Sequence, residues 1–239
     1  MASPMVFERY EIKYFLTREQ KDAVLSAMAP HMEPDSFGRS TIRNLYYDTD
    51  NYRLVRRSLE RPLYKEKLRV RSYCTAKPED EVFIELKKKY NSIVYKRRTG
   101  IREKEAADYL AGRLPAPKRC QITDEIDYFR QFYGTLAPRV FLSYEREAFF
   151  EKGDGSFRVT FDENILWRTT DLSLEAGIYG ENILKPGQIL MELKTAGSIP
   201  LWMVDILTGQ KLQRTSFSKY GSAYTTMLIR EKEEEEVYA

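Results

Sequence analysis

Alternation of apolar and charged positions with a period of two dominates the chain, the pattern of strands that turn one face to a core. It predicts strands near 7–16, 41–48, 66–75, 81–90, 92–101, 138–150, 156–163 and 188–195, rich in Tyr, Phe, Val and Ile. Helical periodicity interrupts them. Thr17 with Gln20 three residues on is a capping-box signature and opens a helix running to about Met28. Further helices are predicted near 102–112 and 123–132, and two more, near 200–208 and 217–232, open at Pro200 and Ser216. No tandem repeat, low-complexity linker or Gly/Ser hinge divides the chain. Residues 1–239 therefore read as one domain, with a core at about 7–228 and an acidic tail at 229–239 that reads as a solvated, frayed helix end. The expected class is α+β: eight strands with interspersed helices could close into a β-barrel, which removes exposed edges, with the helices packed outside.

The alternation also sorts the charges. In FERYEIKYFL, Arg9, Glu11 and Lys13 share one face and Tyr10, Ile12 and Tyr14 the other. Lys67, Arg69 and Arg71 oppose Leu68 and Val70; Glu85, Lys87 and Lys89 oppose Ile84 and Leu86. Lys96 and Arg98 fall together, although Arg97 faces the other way and leaves that strand open. Arg158, Thr160 and Asp162 oppose Phe157, Val159 and Phe161, and Glu192 shares a face with Lys194. Any one such strand is an ordinary amphipathic strand with a wet side, and pairs such as Arg69 with Glu85, or Glu192 with Lys194, could be simple cross-strand ion pairs. Six strands repeating the pattern, with few Ser, Thr, Asn or Gln among the charges, point further. If the apolar faces pack outward, the cations converge on the barrel interior, where unpaired they are costly. A polyanion is their natural occupant, with arginine gripping phosphate bidentately and lysine as a point charge. The interspersed carboxylates would hold a divalent metal that bridges phosphate oxygens.

Composition narrows the chemistry. With 42% hydrophobic and 31% charged residues the chain has the balance of a folded domain. Residues 1–100 carry 21 Lys and Arg against 14 Asp and Glu, and residues 101–239 carry 18 against 22, so the first half seeks an anionic partner. No apolar run approaches a membrane span, and the opening MASPMVFERYEIKY is not a signal peptide, so a cytoplasmic location is expected. The single histidine, His31, and the two unpaired-looking cysteines, Cys74 and Cys120, leave no histidine triad, zinc motif or disulfide framework. His31 reads as a loop or surface residue. P-loop and Rossmann glycine motifs are absent.

The ordered segments EIKY (11–14), IRNLYYDT (42–49), KLRVRS (67–72), FIELKKK (83–89), KRR (96–98), YEREAF (144–149), FRVTFDENI (157–165), MELKTAGSIPLWM (191–203) and FSKYGSAY (217–224) resemble the VTC (vacuolar transporter chaperone) polyphosphate polymerase domain. That domain belongs to the triphosphate tunnel metalloenzyme, or CYTH-like, superfamily. The resemblance implies an eight-stranded antiparallel β-barrel forming a tunnel that binds triphosphate or polyphosphate with a divalent metal. It carries Lys13, Arg69, Arg71, Lys87, Arg146, Arg158 and Lys219 over as catalytic cations, with Lys96 or Arg98 following on the next strand, and Glu192 as the metal-binding glutamate. Lys89, Lys96, Arg98 and Lys194 are expected to bind phosphate, and Glu85 to join Glu192 at Mn²⁺ or Mg²⁺. Glu11 and Asp162 are further candidates near the metal. Tunnel hydrolases of the CYTH type open with E-x-E-x-K, whereas this chain reads Arg9-Tyr10-Glu11-Ile12-Lys13, which favours the polymerase branch. The SPX domain and membrane anchor of the eukaryotic polymerases are not seen in the sequence, so a membrane partner cannot be inferred from it.

The implied activity is transfer of the ATP γ-phosphate to a growing inorganic polyphosphate chain, with ADP released and pyrophosphate or triphosphate as primer. Alternatives are a tunnel hydrolase of tripolyphosphate or organic triphosphates, and a non-catalytic polyphosphate-binding module. Nucleic acid is not expected, because helix-turn-helix, zinc-finger and RRM patterns are missing. Tyr46 and Tyr47 are expected to pack in the barrel wall, and the Trp202 segment to seat a helix on it.

Overall fold

A computed structural model describes residues 6–153 and 156–238, with side chains described for 10–153 and 156–230. In chain order the elements are β1 (Val6–Leu16), α1 (Arg18–Met28), β2 (Met32–Pro34), β3 (Ser40–Asp48), α2 (Arg53–Leu59), β4 (Tyr64–Ser72), β5 (Glu81–Tyr90) and β6 (Ile93–Arg102). They continue with α3 (Glu103–Leu110), α4 (Gln121–Tyr133), β7 (Ala137–Glu151), β8 (Arg158–Arg168), β9 (Glu181–Asn182), β10 (Ile189–Thr195), α5 (Leu201–Gly209), β11 (Arg214–Thr215) and α6 (Lys219–Tyr238).

All strand pairings are antiparallel, and eight strands form a ring: β7, β3, β4, β5, β6, β1, β10 and β8, which pairs back onto β7 through Phe141–Phe150. These are the eight strands expected from the alternation. The sheet has eleven strands in all, because β2, β9 and β11 extend β7, β8 and β1 at their ends. Two-residue hairpin geometry fixes the β5–β6 register: Asn91 and Ser92 both take left-handed backbone (φ 44° and 72°), which matches the twist of the strands they join. A register shift between β7 and β8 falls beside Asn164, at φ 48°.

Apolar faces do pack outward. Leu68, Val70, Ile84 and Leu86 meet α3 and α4 through Tyr109, Ile126 and Phe129; Tyr14, Val159, Phe161 and Met191 meet α1 and α5 through Val24, Met28 and Met203. Arg97 points to this outer side, where it pairs with Glu125 of α4. His31 stacks on Trp202 at a centroid distance of 4.4 Å, beside the α5 contact. A third cluster lies at one end of the ring, where Tyr46, Leu142, Ile165 and Leu190 meet Val55 of α2 and Tyr220, Ala223 and Tyr224 of α6. Helix α6 thus plugs that end and brings its first residue, Lys219, to the interior. The capping box at Thr17 is present as expected.

Helix α2 was not legible in the sequence. Asp48 makes it: its carboxylate accepts the Leu54 and Val55 N–H groups (2.8 and 3.0 Å) and the Tyr220 hydroxyl (2.9 Å), tying α2 to α6. Among the described residues no helix is long and apolar enough to cross a membrane.

Candidate functional site

Because inward positions recur every second residue, each ring strand delivers its inward face to one continuous cavity of about 1600 Å³, charged on every strand but β3, which contributes Ser40, Ile42 and Tyr46. Fifteen lysines and arginines line it against four carboxylates. The set includes Lys13, Arg69, Arg71, Lys87, Lys89, Lys96, Arg98, Arg146, Arg158, Lys194, Lys219 and Glu192, so twelve of the thirteen residues singled out in the sequence meet on one wall. Lys96 and Arg98 both face in. The question left open by Arg97 is settled by its pairing with α4.

The thirteenth, Glu85, lies behind that wall, fully buried. Arg69 donates to it from Nε at 2.8 Å, Lys96 Nζ stands 2.6 Å away, and Arg71 and Arg98 lie at 3.6 and 3.8 Å. Burial alone would raise the Glu85 carboxyl, but Arg71, Arg69 and Lys96 hold it well below the usual carboxylate range. Burial pushes Lys96 down to about 7 despite Glu85. One carboxylate serving four cations leaves most of their charge uncompensated.

A second group surrounds Glu192 and Asp162. Arg146 makes a two-pronged bond to Asp162, 2.6 Å on each arm, and reaches Glu192 at 3.5 Å. Lys219 bridges the same two carboxylates at 2.6 and 3.2 Å. Lys194 and Lys13 stand 3.1 and 3.5 Å from Glu192. Burial would raise the Glu192 carboxyl, and Lys219, Lys194, Lys13 and Arg146 together bring it well below its ordinary value. Lys194 is driven down to about 7 by burial, against the pull of Glu192. Next to this group Glu11 holds Lys87 at 2.7 Å, and its carboxyl falls to about 2: burial opposes, Lys87 overcomes.

The sequence does not single out Tyr46, Asn44 and Tyr144 as site residues, and it places Lys67 on the charged face without a role. Tyr46 is not only packing: its hydroxyl accepts from Arg69 at 2.9 Å, while Tyr47 faces the outer core. Asn44 and Tyr144 accept from Arg71 at 3.0 and 3.1 Å, and Lys219 Nζ lies 4.7 Å from the Tyr144 ring centroid. Lys67 donates to Ser218 Oγ at 2.6 Å. Its inward alternation with Arg69 was the available signal. Arg158 has its Nε buried and unbonded, and among the described residues its one ion pair is with Asp35, at 3.8 Å.

Among the described residues no group of three or more His, Cys, Asp or Glu gathers to hold a metal ion. The donors nevertheless suit a hard cation that arrives on phosphate, since Mg²⁺ characteristically takes one or two carboxylates and completes its shell with phosphate oxygens and water. Glu192 and Glu11 both line the cavity and fit that part. Glu85 is enclosed by its four cations.

The model of the VTC domain family matches residues 8–228. Among solved structures, a Bacillus halodurans protein described as a candidate adenylate cyclase shares 15% identity at a TM-score of 0.56, covering 90% of this chain and 96% of its own. A Hippeastrum protein, described as a candidate adenylyl cyclase with a dominant triphosphatase activity, shares 14% identity at 0.54, covering 92% and 95%. A search of curated proteins finds no match to the chain. With a cation-lined ring of eight antiparallel strands and a family match over nearly its whole length, the chain belongs to the VTC domain family and has the triphosphate-tunnel, CYTH-like fold.

Proposed function

We propose that the protein is a metal-dependent polyphosphate polymerase that moves the γ-phosphate of ATP onto an inorganic polyphosphate chain. The observation that carries this reading is the imbalance of the tunnel wall, fifteen cations against four carboxylates, in a member of the VTC domain family. Arg69, Arg71, Lys87, Arg158 and Lys219 bind the β- and γ-phosphates, with Lys13, Arg146, Lys89, Lys96, Arg98 and Lys194 supplying the surrounding field. A terminal oxygen of the acceptor chain forms a bond to the γ-phosphorus while the bond to the β-phosphate oxygen breaks. ADP leaves with that electron pair, and the chain is longer by one phosphate. The acceptor oxygen is already ionised at neutral pH, so no base is needed and positioning plus charge neutralisation supply the catalysis. Glu192, with Glu11 beside it, would hold Mn²⁺ or Mg²⁺, which would supply charge neutralisation to the phosphates. Glu85 acts as the counter-ion that aligns Arg69, Arg71, Lys96 and Arg98.

The test is incubation of the purified protein with ATP, Mn²⁺ and a short polyphosphate primer, with products resolved on a polyphosphate-stained gel. A growing ladder with ADP released is the expected result. Orthophosphate without a ladder would replace this reading with triphosphate hydrolysis.

A further inference from the structure

Ser218 is the last residue before α6, and it lines the tunnel. Lys67 Nζ stands 2.6 Å from its Oγ, and among the described residues no carboxylate pairs with Lys67. The charged groups facing this lysine are cations: Lys65 and Arg69 on its own strand, Lys87 directly opposite on β5, and Lys13 on β1. The next pair along, Lys65 against Lys89, repeats the conflict of like charges. Burial first, then Lys13, Lys87, Lys65 and Arg69, hold Lys67 well below the ordinary lysine range. A lysine in that state is a free amine. It accepts the serine proton across the same contact through which an ammonium donates, which is the pairing of a nucleophile with its base. The Gly221 N–H, in the first turn of α6, donates to Ser218 Oγ at 3.0 Å, so negative charge developing on that oxygen meets the positive end of a helix. Its position fits the chemistry too. The next residue, Lys219, bridges Asp162 and Glu192, and Lys13 donates to the Phe217 carbonyl at 2.7 Å while standing 3.5 Å from Glu192.

We propose that Ser218, with Lys67 as its base, is itself a phosphoryl acceptor and takes the γ-phosphoryl group of ATP when no polyphosphate primer occupies the tunnel. The inference rests on the reading above, in which ATP is the donor, and adds a covalent site on the protein to it. The Oγ–phosphorus bond forms as the bond from the γ-phosphorus to the β-phosphate oxygen breaks. ADP leaves with that electron pair, and the Ser218 proton passes to Lys67 Nζ. The product sets a phosphoserine beside a lysine ammonium, so an ion pair replaces a field of one sign. A terminal oxygen of this phosphoserine is ionised like the end of a free chain, and a second transfer onto it starts a polymer without an added primer. Thr160 is the rival hydroxyl. It lies 3.1 Å from Lys194 Nζ, but Glu192 stands 3.1 Å from the same nitrogen and competes for it.

The experiment incubates the full chain with γ-labelled ATP and Mn²⁺ without primer, reads protein-bound label on a denaturing gel and maps it by peptide mass spectrometry. Label on Ser218, stable to acid and released by alkali as a phosphoserine is, is the expected result. Ser218→Ala should abolish it. Lys67→Arg keeps a positive charge and a donor beside Ser218 but cannot take its proton, so the labelling rate should fall by about 100-fold, the scale for losing a general base. A melting curve of each variant checks that it folds. The proposal is overturned if Ser218 stays unlabelled, if the label falls on Thr160, Thr215 or Ser216 instead, or if Lys67→Arg is labelled as fast as the unaltered protein. A ladder grown on added primer while Ser218 stays unlabelled removes this proposal and leaves the polymerase reading in place. Labelled Ser218 with no ladder under any condition supports the acceptor and removes the polymerase.

Discussion

Arg69 and Glu85 face each other across β4 and β5, and the guanidinium grips the carboxylate through Nε at 2.8 Å and a terminal nitrogen at 2.7 Å. Glu85 also stands 2.6 Å from Lys96, so one carboxylate orders cations of two neighbouring strands. Glu85→Gln keeps the shape and removes the charge. Stability should drop by about 3 kcal/mol, the scale for stripping one partner from a buried ion pair. Tripolyphosphate should then raise Tm more in the variant than in the unaltered protein, because the ligand replaces the missing counter-ion. Thermal melts with and without ligand check this; equal shifts would mean that Glu85 does not balance the anion site.

Arg158 is the opposite case. It lines the cavity, and among the described residues it lacks a hydrogen-bond partner at Nε and has a single ion pair, with Asp35 at 3.8 Å. Arg158→Ala should therefore leave Tm nearly unchanged while turnover falls by about 100-fold, the scale for losing one preorganised donor to a developing charge. Steady-state rates beside a melting curve decide it, and full activity would remove Arg158 from the site.

For Glu192 the predicted effects separate binding from turnover. Glu192→Gln leaves Lys13, Lys194, Lys219 and Arg146 in place, so tripolyphosphate should still bind and stabilise the protein. Turnover in Mn²⁺ or Mg²⁺ should be lost by about 100-fold or more. Retained metal-dependent turnover would place the metal elsewhere.

Burial pushes Lys96 and Lys194 down to about 7 in the free protein, against an ordinary value of 10.5. Between those limits the unfolded chain binds more protons than the folded one, so stability of the free protein should rise as pH climbs from about 7 toward about 10. Below 7 both states are protonated and the dependence should flatten. Bound phosphate recharges the two lysines, so tripolyphosphate should bind with uptake of protons near pH 8 and weaken as pH rises. Titration calorimetry in two buffers of different ionisation enthalpy reads the uptake, and its absence would acquit both lysines.

Much of the site could be read from one dimension because a strand has a period of two. Each inward cation announced its side by the apolar residue next to it, as Arg69 and Arg71 do around Val70. The reading failed where a single strand mixes its signals: Arg97 interrupts Lys96 and Arg98, and only Glu125 on α4 explains it. It also failed for uncharged wall residues. Tyr46 and Tyr144 look like any barrel tyrosine until their hydroxyls are seen against Arg69 and Arg71.

The sequence by itself determined which residues share a face, since pleat geometry is local and survives without any knowledge of neighbours. It determined the eight long strands, the capping box at Thr17 and the excess of inward positive charge. The tertiary structure decided everything that depends on register and closure. Pairing of β7 with β8 turns the sheet into a ring, the Tyr220 hydroxyl of α6 reaches Asp48 and so ties α2 to that helix, and α6 carries Lys219 inside. It alone put Lys65 against Lys89 and gathered four cations on Glu85. Such relations join residues far apart in the chain, and their energies depend on distance and burial, quantities that no local pattern contains.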